Sequence, residues 1–265
     1  MFFSRISVFV LLAYCVTADT RAGESIDTDG PDFVESSEVV GNGRTQLEVD
    51  VVSERDRRDP VRRTTTSTPT LVRHGITDTL ELRVETEGRV WSTSEAPDTG
   101  IRSNEQGNGD TSFGLKWHSH DRDPATYSPA VSWIAQLEAP TGDNGFKGNG
   151  LRPSLRSVAT WDLPKALALG VMPGVKYETR QDGHRFVAGM LGVVLNKQWR
   201  DNFRTFVESA VPQIAKREDG GVLAFWDIGA AILVNRDWQI GLRGAIAANR
   251  NTPNTQLLFE IAARF

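Results

Sequence analysis

The fold class the sequence predicts is all-β, a transmembrane antiparallel up-and-down barrel of about 12 strands. Three features predict it. Apolar and polar residues alternate with the two-residue period of a strand over most of the chain beyond residue 45. Tight turns alternate with longer connections rich in Gly, Asn and Asp. The last strand is itself alternating and closes on Phe265.

Taken in order, residues 1–18 read as an export signal. Arg5 supplies the positive start, Ile6 to Val16 is apolar apart from Ser7, and Val16-Thr17-Ala18 offers small residues for cleavage, with Ala22 a second cut point. About eleven apolar residues fall short of the roughly twenty that a spanning helix requires. The only cysteine, Cys15, lies in this segment, where bulky Tyr14 precedes it in place of the small residue usual before an acylated cysteine. The mature chain is therefore expected to hold neither disulfides nor thiolates. Residues 19–44 form an acidic, turn-rich periplasmic arm carrying Asp27, Asp29, Asp32, Glu35 and Glu38, with the lumen an alternative path.

Residues 45–265 are expected to be the barrel. In Thr79 to Glu85, Leu80, Leu82 and Val84 share one face, and Glu81, Arg83 and Glu85 the other. Asp110 to His118 and Val131 to Ala139 repeat the pattern, and nine further runs follow the same rule: Gln46 to Arg55, Arg62 to Val72, Arg152 to Trp161, Ala166 to Glu178, Arg185 to Leu195, Asn202 to Pro212, Val222 to Leu233, Trp238 to Ala247 and Thr255 to Phe265. Pro69, Pro173 and Pro212 each remove a ladder donor and are expected at strand ends or bulges.

A soluble sandwich alternates too, so the connections decide. One rim receives Asp56 to Val61, Glu87 to Asn108, Pro140 to Leu151, Thr179 to His184, Gln213 to Gly221 and Ala248 to Asn254. The other receives mostly tight turns, the asymmetry of an outer-membrane barrel with its short side in the periplasm. Trp117, Trp161, Trp199 and Trp238 then fall together at the short-turn end as a periplasmic aromatic girdle. In the last strand Phe259, Ile261 and Phe265 share one face, a pattern read as the assembly signal for the outer-membrane insertion machinery.

With apolar faces on lipid, the opposite faces line the lumen. Glu81, Arg83, Lys116, Glu138, Arg156, Arg204, Glu208, Asp227 and Arg243 are the candidate lumen-lining and selectivity residues, because buried charges must pair or meet water. Ala168-Gly170-Met172-Gly174 and Ala188-Met190-Gly192 leave open space there, or room for a larger residue from opposite. His118 and His120 share a strand end but specify no third metal ligand. His184 with Asp182 and Asp143 is the one rim grouping with protease-like composition. The reading is no enzyme, no metal and no cofactor. Lys+Arg 30 against Asp+Glu 34, without a clustered basic face, argues against a nucleic-acid partner.

The chain resembles the outer-membrane family labelled as a transporter of the phenol-degradation meta pathway. The resemblance runs from Asp27-Thr28-Asp29-Gly30-Pro31-Asp32-Phe33-Val34-Glu35-Ser36 through Thr68-Pro69-Thr70-Leu71-Val72-Arg73-His74-Gly75 and Pro140-Thr141-Gly142-Asp143 to Arg264-Phe265. Gly30 stands where Arg is expected in that family. The resemblance implies an outer-membrane barrel passing small solutes, aromatic or hydrophobic ones by association. A closed barrel with a structural or surface-interaction role is the alternative. The partners expected are outer-membrane lipid, the insertion machinery and an unidentified small solute.

Overall fold

The structure is a computed structural model that describes residues 25–57, 61–180 and 182–265. The expected export signal, residues 1–18, and both its cut points lie outside the described residues. Fifteen strand segments follow one another: β1 (Thr45–Asp56), β2 (Arg62–Ser67), β3 (Thr70–Gly75), β4 (Leu80–Thr86), β5 (Arg89–Ala96), β6 (Ile101–Asn108), β7 (Thr111–His120), β8 (Ala130–Ala139), β9 (Arg152–Leu163), β10 (Leu167–Thr179), β11 (Arg185–Arg200), β12 (Phe203–Ile214), β13 (Leu223–Asn235), β14 (Trp238–Ala247) and β15 (Thr255–Arg264). Segments β2 with β3, β4 with β5 and β6 with β7 are each one stave broken in the middle, so the barrel has 12 staves, all antiparallel.

Closure comes from β15 pairing with β1, from Gln46 opposite Arg264 to Arg55 opposite Thr255. Thr45 and Phe265 exchange backbone hydrogen bonds at the end of that seam. Among the described residues no strand edge is left in the band the membrane would cover, which is the condition for a sheet in hydrocarbon.

The side-chain distribution is inverted relative to a soluble protein. Leu82, Phe113, Leu115, Val187, Ile228 and Leu257 are exposed, whereas Arg73, Lys116, Glu81 and Glu260 are fully buried. Apolar outside and charged inside is the order a bilayer imposes.

The three breaks sit side by side, at Thr68-Pro69, Glu87-Gly88 and Gly109-Asp110, and bend the wall at one level. Gly88 has φ +67 there, and a Cβ on it would lie 2.0 Å from the Thr68 carbonyl oxygen, so only glycine fits. Pro69 ends a ladder as expected, and Pro212 sits where β12 slips register against both neighbours. Pro173 corrects the expectation: it lies inside β10, opposite Leu191, with no register shift against either neighbour, although the ladder to β9 lapses at Met172 and Pro173.

A second correction concerns Glu87 to Asn108, expected to be a loop. Residues 89–108 form the β5–β6 hairpin, which extends the wall beyond the barrel rim together with β2 and the top of β1. Its outer strand, β6, pairs only with β5, leaving one free edge among the described residues, outside the barrel proper.

Candidate functional site

The lumen is occupied at its short-turn end by the chain's own arm. The segment expected as a periplasmic arm, residues 19–44, enters the barrel over its described part, 25–44. It begins where Ile26 N–H donates to the Arg236 carbonyl at a short turn, and it returns to the same rim where Gly43 donates to Gly75.

Charge complementarity is the reason. Inward-pointing Arg73, Arg83 and Lys116 meet acids supplied by the arm. Asp29 accepts from Lys116 Nζ at 2.8 Å and from Arg83, and lies 3.5 Å from Arg73. Glu35 pairs with Arg83 at 2.9 Å and with Arg156 Nε at 2.7 Å. Asp32 pairs with Arg204 at 3.1 Å, and Glu38 with Arg122 at 2.6 Å at the rim. Burial raises the cost of the Asp29 charge, but Arg73, Lys116 and Arg83 outweigh it and hold the carboxyl well below the ordinary aspartate range.

Wall carboxylates in turn hold the arm's backbone. Glu208 accepts the N–H groups of Phe33 at 2.8 Å and Val34 at 2.7 Å; Glu81 accepts that of Val40 at 2.9 Å, and Glu48 that of Asp29 at 3.0 Å. Ser37 offers its carbonyl to His118 Nδ1 at 2.8 Å and to Ser132. Val34 completes a small apolar core with Ile134, Val158, Met172, Val194 and Phe206. Gly170 and Gly192 make room for it: a Cβ on Gly192 would lie 2.5 Å from Val34 Cγ2. The space that small residues leave in β10 and β11 is thus taken by the arm.

Above the arm lies a cavity of about 620 Å³. Pro31, Asp32, Phe33 and Glu35 of the arm face it from below, and Asp50, Glu87, Glu138, Arg152, Lys176 and Arg243 are among its walls. Arg152 bridges Asp110 and Glu138, each at 2.5 Å, and Arg243 is held by Gln256.

Of the nine residues proposed for the lumen, Glu81, Arg83, Lys116, Arg156, Arg204 and Glu208 bond the arm or a residue that does. Glu138 and Arg243 belong to the cavity, and Asp227 is the cross-strand partner of Glu208. Trp117, Trp199 and Trp238 are exposed on the exterior near the short-turn rim and Trp161 is half-buried. Phe259, Ile261 and Phe265 are exposed along the closing strand.

Sequence reasoning passed over Arg73, fully buried and bonded to Glu81 at 2.8 Å and Glu48 at 3.2 Å. The signal was present: Arg73 alternates with outward Val72 and so belongs to the inner face. Gly30 lies against Glu260. A Cβ on Gly30 would stand 3.2 Å from the Glu260 carboxyl, whose two oxygens have no hydrogen-bond partner.

The groupings with catalytic composition are not assembled. His118 is engaged by Ser37 and by Asp121 at 2.8 Å, while His120 bonds Ser128 at 2.9 Å. Asp182 accepts from the His184 backbone N–H at 3.0 Å and pairs with Arg180, the His184 ring comes within 3.7 Å of Asp219, and Asp143 accepts from Asn108. No group of three or more His, Cys, Asp or Glu side chains placed to hold a metal occurs among the described residues.

A closed antiparallel barrel with an apolar exterior and a charged lumen is the architecture of outer-membrane β-barrels. The chain belongs to the family described as "Putative MetA-pathway of phenol degradation", which matches residues 28–265. Among solved structures it is similar to the COG4313 outer membrane channel from Pseudomonas putida F1, at 12% identity and TM-score 0.65 over 87% of this chain and 98% of that one. The beta domain of the Bordetella autotransporter Brka matches at 11% identity and TM-score 0.53, over 83% of this chain and 98% of that one. The NanC porin matches at 12% identity and TM-score 0.51, over 82% and 98%. At these identities the likeness is one of fold. No curated protein sequence matches the chain.

Proposed function

We propose that the protein is a passive channel for small solutes in the outer membrane, reached by export with cleavage of residues 1–18. The observation that carries this reading is the cavity of about 620 Å³ above the arm, a volume suited to a small molecule and lined by both signs of charge. The family description points to aromatic solutes. Glu138, Arg156 and Arg243 face that space and are the residues proposed to select by charge, while Glu81, Arg83, Lys116, Arg204 and Glu208 set the position of the arm. Trp117, Trp161, Trp199 and Trp238 anchor the periplasmic interface, and Phe259, Ile261 and Phe265 present the closing strand to the insertion machinery.

The arm closes the periplasmic half, so passage requires it to shift. The same plug favours a second reading, a permanently closed barrel with a structural or surface role. Planar-bilayer recording of the purified protein separates them. Stepwise current that scales with salt is the expected result. Silence after verified insertion, in the wild type and in an arm-anchor variant alike, would leave the closed barrel standing.

A further inference from the structure

We propose that the outward face of the β1–β2–β5–β6 extension binds the phosphorylated sugar headgroup of an outer-leaflet glycolipid. The pairing fixes which side chains share that face. Val51 is exposed and apolar, so Ser53 and Arg55, two and four residues on, continue its side of β1. Ser53 pairs with Thr66 and Thr66 with Trp91; Arg55 pairs with Thr64 and Thr64 with Thr93; Arg62 pairs with Glu95 and Glu95 with Arg102. Climbing the outer surface, the rows therefore read apolar, then Trp91, then arginine.

The level of these rows is set by the wall below them. Trp91 lies eleven residues beyond Leu80, the cross-strand partner of Trp117 at the short-turn rim. The break at Glu87-Gly88 takes up one of these residues, as the register on either side of it shows, and about ten steps at a rise of about 3.3 Å and a tilt of about 40° span about 25 Å, the height of the apolar band of such barrels. Trp91, 43% exposed, thus marks the outer interface, and Arg55, Arg57, Arg62 and Arg102 stand at headgroup height.

These four arginines are exposed and none has an ion-pair partner among the described residues. Together with Asp56, Arg63 and Glu95 they line a hollow of about 530 Å³, in which arginine outnumbers acid. Around Asp29 and Asp110, by contrast, the clustered cations are matched by carboxylates. Guanidinium forks left open at headgroup level fit phosphate bidentately. A lipid is favoured over a free anion because Arg55, Arg57, Arg62 and Arg102 lie on the same face of these strands as Val51 and Trp91, and the hollow shares no lining residue with the lumen cavity.

The test titrates the purified, detergent-folded protein with diphosphoryl lipid A and with the same lipid stripped of phosphate, reading bound lipid by native mass spectrometry. The wild type should prefer the phosphorylated form at least tenfold. The variant Arg55→Gln/Arg57→Gln/Arg62→Gln/Arg102→Gln should lose that preference, with barrel folding checked by heat-dependent gel mobility. Arg200→Gln/Arg236→Gln at the opposite rim should keep it. Equal binding of both lipids by the wild type, or preference retained in the quadruple variant, would overturn the proposal. Displacement of the lipid by a soluble sugar bisphosphate at equal concentration would overturn the lipid assignment in favour of a free anion. None of these readouts depends on solute passage, so failure here leaves the channel reading to its own test.

Discussion

Replacing Asp29 by Ala should raise the open probability of the barrel in planar bilayers by about two orders of magnitude. Asp29 is the point at which one arm residue meets Arg73, Arg83 and Lys116. Removing one partner of a buried ion pair costs about 3–5 kcal/mol, because the remaining charge stays buried without compensation. Here the cations retain Glu81, Glu48 and Glu35, which places the cost near the lower end. About 3 kcal/mol is a factor of roughly a hundred in the population of the displaced arm, at about 1.4 kcal/mol per tenfold. Asp29→Asn keeps the shape and removes the charge, and should act in the same direction. The pH dependence has a definite sign. A carboxyl held below its ordinary range contributes fully above that range and loses its contribution as pH falls through its own depressed value, so Asp29 keeps the arm docked through neutral and mildly acidic pH. An unchanged open probability in both variants would show that the arm is not the barrier.

Arg83→Glu and Arg243→Glu should separate plug from pore. Arg83 is buried between Asp29, Glu35 and Glu81, and reversal there gathers four carboxylates where one cation stood. Like charges at contact distance are costly at low dielectric, so the arm should leave and the current should become both larger and cation-selective. Arg243 lines the cavity and is held by Gln256, with no bond to the arm. Its reversal should move the reversal potential toward cations while leaving open probability unchanged. Reversal potentials unaltered in both variants would remove these residues from the conduction path.

Much of the fold was legible because the bilayer imposes a strict period. Trp238 to Ala247 was expected and is found with the same bounds, and most other runs shift by one to three residues at either end. Alternation failed where the wall leaves the membrane. From Arg89 to Asn108 both faces are largely polar, so the β5–β6 hairpin carries no apolar stripe to reveal it. The lumen was legible as a list of inward charges, but their partners were not. The acids of the arm read as an extended segment lying in the periplasm or entering the lumen, with no partners named, until the structure set Asp29 among three cations and Glu35 against Arg83 and Arg156. Nothing local in an extended, turn-rich segment says that a cylinder will close around it. The vacancy left by Gly170 and Gly192 was the available hint, and it did not name its occupant.

The central claim is that the arm occupies the conduction path, and a reversible cross-link tests it most directly. Val34→Cys/Gly192→Cys brings together two positions whose Cβ atoms lie within about 4 Å of each other, the reach of a disulfide, in a chain whose single native cysteine is Cys15. In bilayers the oxidised protein should stay closed and stepwise current should appear on adding reductant. The same current before and after reduction, with the cross-link verified by mass, would contradict the account.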